Sequence, residues 1–334
     1  MGREFVWRDA GRTVVFGAGG VERAPAILAE HGVEEFVLLS TERALAGTPS
    51  LAATAEVHLV GPGQVPELAA ELLPAASGQS LVALGGGRVI DVAKALASVS
   101  GADVVAVPTT MSGAEMTAIH RLPAGAEAEV VGMVRPRLVI ADPEAMTGQP
   151  EPQLRASSMN ALAHGADSLY TPLANPVSRE TAVRGAGLIA AALDEDAAAR
   201  DRDDLALGSI LCGYAIDSAG LGLHHLVCQT LVRVCGSPHA ETNAAILPPA
   251  VAFLADRAAD VFKPLADALG TDLAGLAPRL TDLGRPPALE ALSTQPENLE
   301  SAYEAMLQRS ELRYVPGPAV TRADLAEIVT RAWQ

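Results

Sequence analysis

Apolar and polar positions follow two periods along the first half of the chain. Short unbroken apolar runs end in glycine, serine or threonine, and each leads into a stretch with apolar residues three and four apart. TVVFGAG (13–19) predicts a strand ending in a glycine turn, and VERAPAILAEHG a helix closed by Gly32. EFVLLST (35–41) predicts a second strand, ERALAG a helix start, AEVHLVG (55–61) a third strand and VPELAAELLPAA a helix. SLVALGGG (80–87) predicts a strand running into glycines and VIDVAKALASVSG the next helix. DVVAVPTT (103–110) and RPRLVIADP (135–143) predict the last two strands. Alternation at this pitch predicts parallel strands joined by crossover helices, with ligands held at the carboxyl ends of the strands.

Beyond Pro150 the pattern is helical throughout. SRETAVRGAGLIAAALDEDAAA, DLALGSILCGYAIDSAGLGLHHLVCQTLVRV, AETNAAILPPAVAFLADRAADVF and ADLAEIVTRAW each carry helical spacing. Glycine and proline cluster at 148–151 and set the boundary there. The expected organisation is an α/β domain over 1–149 and an all-α domain over 150–334. No internal repeat is present, and GRPPALEALSTQPENLE reads as a polar surface connection.

Composition narrows the classes. The 334 residues suffice for two domains with their own cores, and 49% hydrophobic against 19% charged content marks a folded chain. Aromatics make up only 3%, so the core is built from Ala, Leu and Val. A formal charge of −16 argues against nucleic acid or an anionic membrane as partner. Cys212, Cys228 and Cys235 have no metal-ligand spacing, which points to a reducing, cytoplasmic setting. The N-terminus lacks the long apolar core of a signal peptide, and Met1-Gly2 lacks the Ser or Thr that myristoylation needs. No uninterrupted apolar run reaches bilayer-spanning length.

Candidate chemistry gathers in three places. His225 and His239 stand in GLHHLVCQTLVRVCGSPHAETNAAILPPAV, and His164 lies upstream in MNALAHGADSLY. Three neutral imidazoles brought together by a fold make a divalent-metal site; singly, each is equally a hydrogen-bonded core histidine. Gly86, Gly87 and Arg88 follow an apolar strand and open a helix that carries Asp91 and Lys94. Bare amides at such a helix start attract phosphate, although a plain tight turn has the same composition. In VPTTMSGAEMT, Thr109, Thr110, Ser112 and Thr117 would line the same strand-end crevice or act as helix caps.

Taken together, GGGRVIDVAKALA, VPTTMSGAEMT, MNALAHGADSLY and HHLVCQTLVRVCGSPHAETNAAILP resemble the iron-dependent alcohol dehydrogenase superfamily. The wording is nearest to its maleylacetate reductases, and the resemblance runs over about residues 12–255. It implies a Rossmann-like NAD(P)-binding domain, a helical C-terminal domain and an active site between them. It also implies an NAD(P)H-dependent reductase of a small oxo-acid or enone, working as a homodimer. Carried over position by position, the metal set is Asn160, His164, His225 and His239. The chemistry falls to His164, His225, Gln229, Arg233 and His239, and the nucleotide to Ser40, Gly86, Gly87, Arg88, Asp91, Thr109, Thr110, Ser112 and Thr117.

Three positions and one segment depart from that pattern. Asn160 stands where metal-bearing relatives have a carboxylate, which implies weakly held Fe²⁺ or Zn²⁺, or no metal. Gln229 stands where the family has a proton-relaying histidine and cannot titrate. Arg233 replaces a glycine on the same helical stripe, and the basic segment expected between Thr117 and Asp142 keeps only His120, Arg121, Arg135 and Arg137. Ser40, Thr41 and Arg43 would tolerate a 2′-phosphate while Glu42 opposes it, so NAD(H) and NADP(H) both stay open. These departures leave room for two other readings: a lyase, isomerase or cyclase on the same scaffold, or a catalytically idle binding subunit.

Overall fold

In the computed structural model, which describes residues 4–9, 11–48, 51, 55–76 and 79–333, the apolar runs of the first half become one mixed sheet. Its strands are β1 (Phe5–Asp9), β2 (Arg12–Phe16), β3 (Phe36–Ser40), β4 (Glu56–Leu59), β5 (Ser80–Gly85), β6 (Val104–Pro108) and β7 (Leu138–Ala141). They lie in the order β1-β2-β7-β6-β5-β3-β4. Helices α1 (Ala24–Glu30), α2 (Glu42–Ala46), α3 (Val65–Leu72), α4 (Gly87–Ser100) and α5 (Pro143–Met146) connect them. Leu81 and Ala83 face the core under α4, whereas Val82 and Leu84 face the core under α1. Burial on both faces is why β5 reads as a continuous apolar run rather than an alternating one.

Strands β2 to β7 pair in parallel, but β1 pairs antiparallel with β2, Phe5 opposite Phe16 and Asp9 opposite Arg12. This strand corrects the all-parallel expectation. Arg8 and Asp9 interrupt its apolar pattern, so period alone does not reveal it. Met1 and Gly2 lie outside the described residues.

The chain divides into two compact units, Met1–Gln149 and Pro150–Gln334. The second is built from α6 (Glu151–Asp167), α7 (Pro176–Asp194), α8 (Arg202–Ala219), α9 (Leu223–Cys235), α10 (His239–Arg257), α11 (Ala259–Ala268), α12 (Leu276–Gly284), α13 (Leu299–Leu307) and α14 (Arg322–Trp333). Helix α6 is its axis: every residue from Leu154 to Asp167 is buried, polar ones included. Those polar side chains must find partners. Ser158 Oγ donates to the Leu154 carbonyl, Ser168 Oγ to that of His164, and Arg155 to those of Leu283 and Leu193.

The second unit also corrects the sequence pattern. The stretch read as one helix through 204–234 breaks, and α8 meets α9 at a bend of 94°. Gly220 takes φ +78, a conformation open to glycine. The stretch that starts at Ser178 ends at Asp194, and Ala258 separates α10 from α11. Among the described residues no single helix is long and apolar enough to cross a membrane.

Candidate functional site

Strands β5 and β6 are neighbours, with Gly85 opposite Pro108. The glycine turn and the Thr109-Thr110 segment therefore leave the sheet side by side, and the Thr109 amide donates to the Gly85 carbonyl at 3.0 Å. Gly86 caps α4 without a side-chain hydrogen bond and takes the Val89 amide on its carbonyl at 3.0 Å, so it is the amides of Gly87 and Arg88 that another acceptor can reach. A Cβ on Gly86 would lie 2.9 Å from Thr110 Cγ2, and one on Gly87 2.9 Å from Ser112 Cβ. Only glycine lets the two segments approach this closely while keeping the backbone bare. This cradle fits a dinucleotide diphosphate.

Lys94 braces the cradle from behind. Its side chain is fully buried; Nζ pairs with Asp91 at 2.8 Å and donates to the carbonyls of Ile119 (2.8 Å), Ala114 (3.0 Å) and Thr117 (3.2 Å). Asp91 and Thr117 thus support Lys94. Ser40 is placed differently from the ribose role expected of it: it is buried, and Oγ donates to the Leu84 carbonyl at 2.8 Å. Arg88 is exposed and reaches the Gly61 carbonyl. Two of the remaining basic residues are tied into the fold. His120 uses Nδ1 toward the Arg121 carbonyl and accepts the Val134 amide at Nε2, and Arg137 pairs with Asp103.

Glu115 lies beside this lysine, completely buried. Neither carboxyl oxygen makes a hydrogen bond of good geometry, although Ser112 is near enough to help. Burial lifts its pKa from 4.5 to about 7 against the opposing pull of its own backbone amide and Lys94. The folded state therefore favours the protonated acid, and stability falls as pH rises from about 4.5 to about 7. Glu115→Gln is expected to abolish that slope. The variant should be more stable than the parent above pH 7, by up to about 3 kcal/mol, with the gap closing toward acid. Urea unfolding across that pH range checks this; an unchanged slope contradicts it.

In the second unit, the spacing of α6 sets Asn160, His164 and Asp167 on one helix face. His225 sits in the first turn of α9, and its ring stacks on that of His164 with centroids 4.8 Å apart and planes 7° apart. His239 begins α10, exposed but close enough to influence the protonation of His164 and His224. Burial, then the neighbouring His225 and His224, hold the His164 pKa well below its ordinary value, so its ring is neutral. Neutral imidazole is the metal-binding form. Nδ1 of His164 and Nε2 of His225 are buried without a hydrogen-bond partner. Two such nitrogens on stacked rings, with Asn160 also buried on the same helix, fit a divalent cation of modest affinity.

Residues that the motif reading passed over lie behind these rings. Asp167, fully buried, accepts from His225 Nδ1 (2.8 Å), Tyr170 hydroxyl (2.9 Å), and the amides of Gly222 (3.0 Å), His225 (3.2 Å) and His224 (3.4 Å). Burial alone would raise its carboxyl, but the hydrogen bond from His225, the electrostatic pull of the neighbouring imidazoles and the Tyr170 hydroxyl outweigh it and bring it down to about 2. His224 is buried, with Nε2 toward the Asn243 carbonyl at 3.0 Å. Ligand atoms of Asp167, His224 and His225 lie within 4.8 Å of one another. Asp167, His225 Nδ1 and His224 Nε2 are spoken for by their own hydrogen bonds, which leaves His225 Nε2 as the open nitrogen of that ring. One clue was present in the sequence: an acid three residues after His164, in a helix without a polar face. Gln229, one turn beyond His225, is half-buried, and Arg233, one turn further, is exposed.

Comparison with known proteins places these features in a lineage. Residues 155–328 match the description Fe-containing alcohol dehydrogenase family, C-terminal, and residues 11–143 match iron-containing alcohol dehydrogenase. The chain is 31% identical to maleylacetate reductase 1 of Rhodococcus opacus over 99% of its own length and 97% of that protein. It is 36% identical to maleylacetate reductase of Burkholderia cepacia over 86% of its length and 87% of that protein. The crystal structure of maleylacetate reductase from Rhizobium sp. strain MTP-10005 superposes with a TM-score of 0.82 at 28% identity, covering 100% of this chain and 99% of that one.

Proposed function

The chain belongs to the iron-containing alcohol dehydrogenase family, and on that premise we propose that it is an NAD(P)H-dependent reductase of a small oxo-acid or enone. The observation that carries this is the pair of buried, unpartnered imidazole nitrogens on the stacked His164 and His225 rings. A polar group buried without a partner costs about 1–3 kcal/mol, which a ligand at that position would relieve. We assign the nucleotide to the first unit and the metal and substrate to the second.

NAD(P)H, when bound, supplies the hydride, and a divalent ion, when bound, supplies Lewis-acid polarisation of the substrate oxygen. The amides of Gly86, Gly87 and Arg88 hold the diphosphate, with Thr109, Thr110 and Ser112 toward the nicotinamide. His164, His225 and His239 hold the ion, with Asn160 adding a neutral oxygen. Because Asn160 brings a dipole and no charge, the ion is weakly held. Gln229 orients the substrate or a water by hydrogen bonds and does not exchange a proton. Arg233 is proposed at the rim, where a guanidinium suits a carboxylate. A homodimer in the cytoplasm, acting on a small molecule rather than nucleic acid or membrane, completes the proposal.

The test is a nucleotide titration. Unaltered protein is expected to bind NADH or NADPH, and Gly86→Val, whose side chain presses on Thr110, to lose that binding while staying folded by circular dichroism at a cost of about 1–3 kcal/mol in stability. Unchanged affinity in the valine variant would sink the placement; no binding by the parent would sink the reductase reading.

A further inference from the structure

We propose that Asp167 is the positioning residue of this site, supplying from behind His225 the negative charge that Asn160 lacks. It follows Asn160 by two turns on the same face of α6 and meets residues some 55 to 58 positions away in sequence. Five donors converge on its two oxygens, which leaves no lone pair well placed for an ion. Its chemical effect therefore passes through His225.

That effect follows from which atom faces which. Asp167 Oδ2 stands 2.8 Å from His225 Nδ1 and can only accept, so the proton sits on Nδ1 and Nε2 keeps its lone pair. The lone pair lies buried and unpartnered in the stacked imidazole cluster. A carboxylate behind a ligating imidazole fixes its tautomer and raises its basicity. The backbone holds the arrangement from the other side. The amides of Gly222, His224 and His225 at the start of α9 all point into the Asp167 carboxylate, and the Leu223 amide donates to the Tyr170 hydroxyl at 2.6 Å. One remote carboxylate thus caps α9 and orients its first-turn histidine together. Gly222 makes room for this: a Cβ there would lie 2.1 Å from the Tyr170 hydroxyl and 2.7 Å from Asp167 Oδ1. His224 closes the back of the site, its Nδ1 3.5 Å from that of His225 and its Nε2 committed to Asn243.

This inference rests on the metal-holding role proposed for His225, and the experiment separates the two. Full-length protein labelled with ¹⁵N-histidine is examined by NMR without added metal, then titrated with Co²⁺ alone and followed by its visible absorption. The unaltered protein is expected to show His225 protonated at Nδ1 and bare at Nε2. In Asp167→Asn that preference should be lost and Co²⁺ affinity should fall by about 10- to 100-fold, with part of it recovered in Asp167→Glu. A His225 carrying its proton on Nε2 in the unaltered protein overturns the proposal, and this measurement needs no variant to fold. Gly222→Ala, which keeps the carboxylate but crowds it, is expected to shift the His225 signals in the same direction as Asp167→Asn. An Asp167→Asn protein with unchanged tautomer and unchanged affinity overturns it as well. An Nδ1-protonated His225 in a protein that takes up no Co²⁺ confirms the orientation by Asp167 and refutes the metal role instead.

Discussion

Gln229→His is expected to raise turnover of maleylacetate by about 10²- to 10⁴-fold, the usual worth of a positioned general acid or base. Gln229 lies half-buried one helical turn after His225, the position at which the family resemblance implies a proton-relaying imidazole. A glutamine there can donate and accept hydrogen bonds but has no proton to exchange near neutral pH. The neighbouring His224 does not take over the task. Burial, then the nearby His225, push its pKa down to about 3, and its Nε2 is used by the Asn243 carbonyl. The unaltered protein should therefore reduce maleylacetate poorly. The gain should appear in kcat, measured by nicotinamide absorbance, with KM little changed and a new ionisation in the pH profile. If the site is instead rebuilt for another acid gripped by Arg233, Gln229→His will do little and Arg233→Gly will destroy the native activity. Brisk maleylacetate turnover by the unaltered protein contradicts the prediction outright.

The second large effect is expected from Lys94→Met. Lys94 is fully buried, and its ammonium binds Asp91 and three carbonyls of the segment from Ala114 to Ile119. Methionine fills similar volume but leaves Asp91 uncompensated and the carbonyls without their donor. Asp91 is partly exposed, so water softens the loss of the pair, and most of the cost comes from the buried carbonyls left without a donor, about 1–3 kcal/mol for each group left unsatisfied. That segment directly follows Thr110 and Ser112, which pack on Gly86 and Gly87, so nucleotide affinity should be lost along with stability. Denaturant unfolding and a nucleotide titration of the same preparation check both. Asp91→Asn in the Lys94→Met background should recover part of the stability, because the stranded charge is then gone. A single variant within about 1 kcal/mol of the parent would show that the lysine is not the brace.

Much of this was legible in the order of residues. Strands β3, β5, β6 and β7 are buried on both faces, so each leaves an unbroken apolar run that no helix of that length would show. The glycine cluster and the Thr109-Thr110 segment follow neighbouring strands, and their order along the chain already suggested a shared crevice. The spacing of Asn160 and His164 by itself places both on one helix face. These features are local, set by backbone period and by residues within a few positions of one another.

What only the tertiary structure decided depends on partners far apart in sequence. The bend between α8 and α9 is invisible in the pattern because apolar residues continue across it; Gly222 at that bend lies against the Tyr170 hydroxyl, and those residues meet only in the folded unit. Strand β1 is defined by pairing with β2 rather than by its own polarity. Ser40 looks like a ribose ligand in sequence, yet its hydroxyl is consumed by the strand beside it. Asp167 reads as an ordinary helical acid until α9 arrives and directs three amides and an imidazole at it. Sequence sets which groups can ionise, donate or ligate and on which face of an element they lie. Which of those groups remain free for chemistry is settled by long-range hydrogen bonding, because a buried polar atom takes whatever partner the fold brings to it.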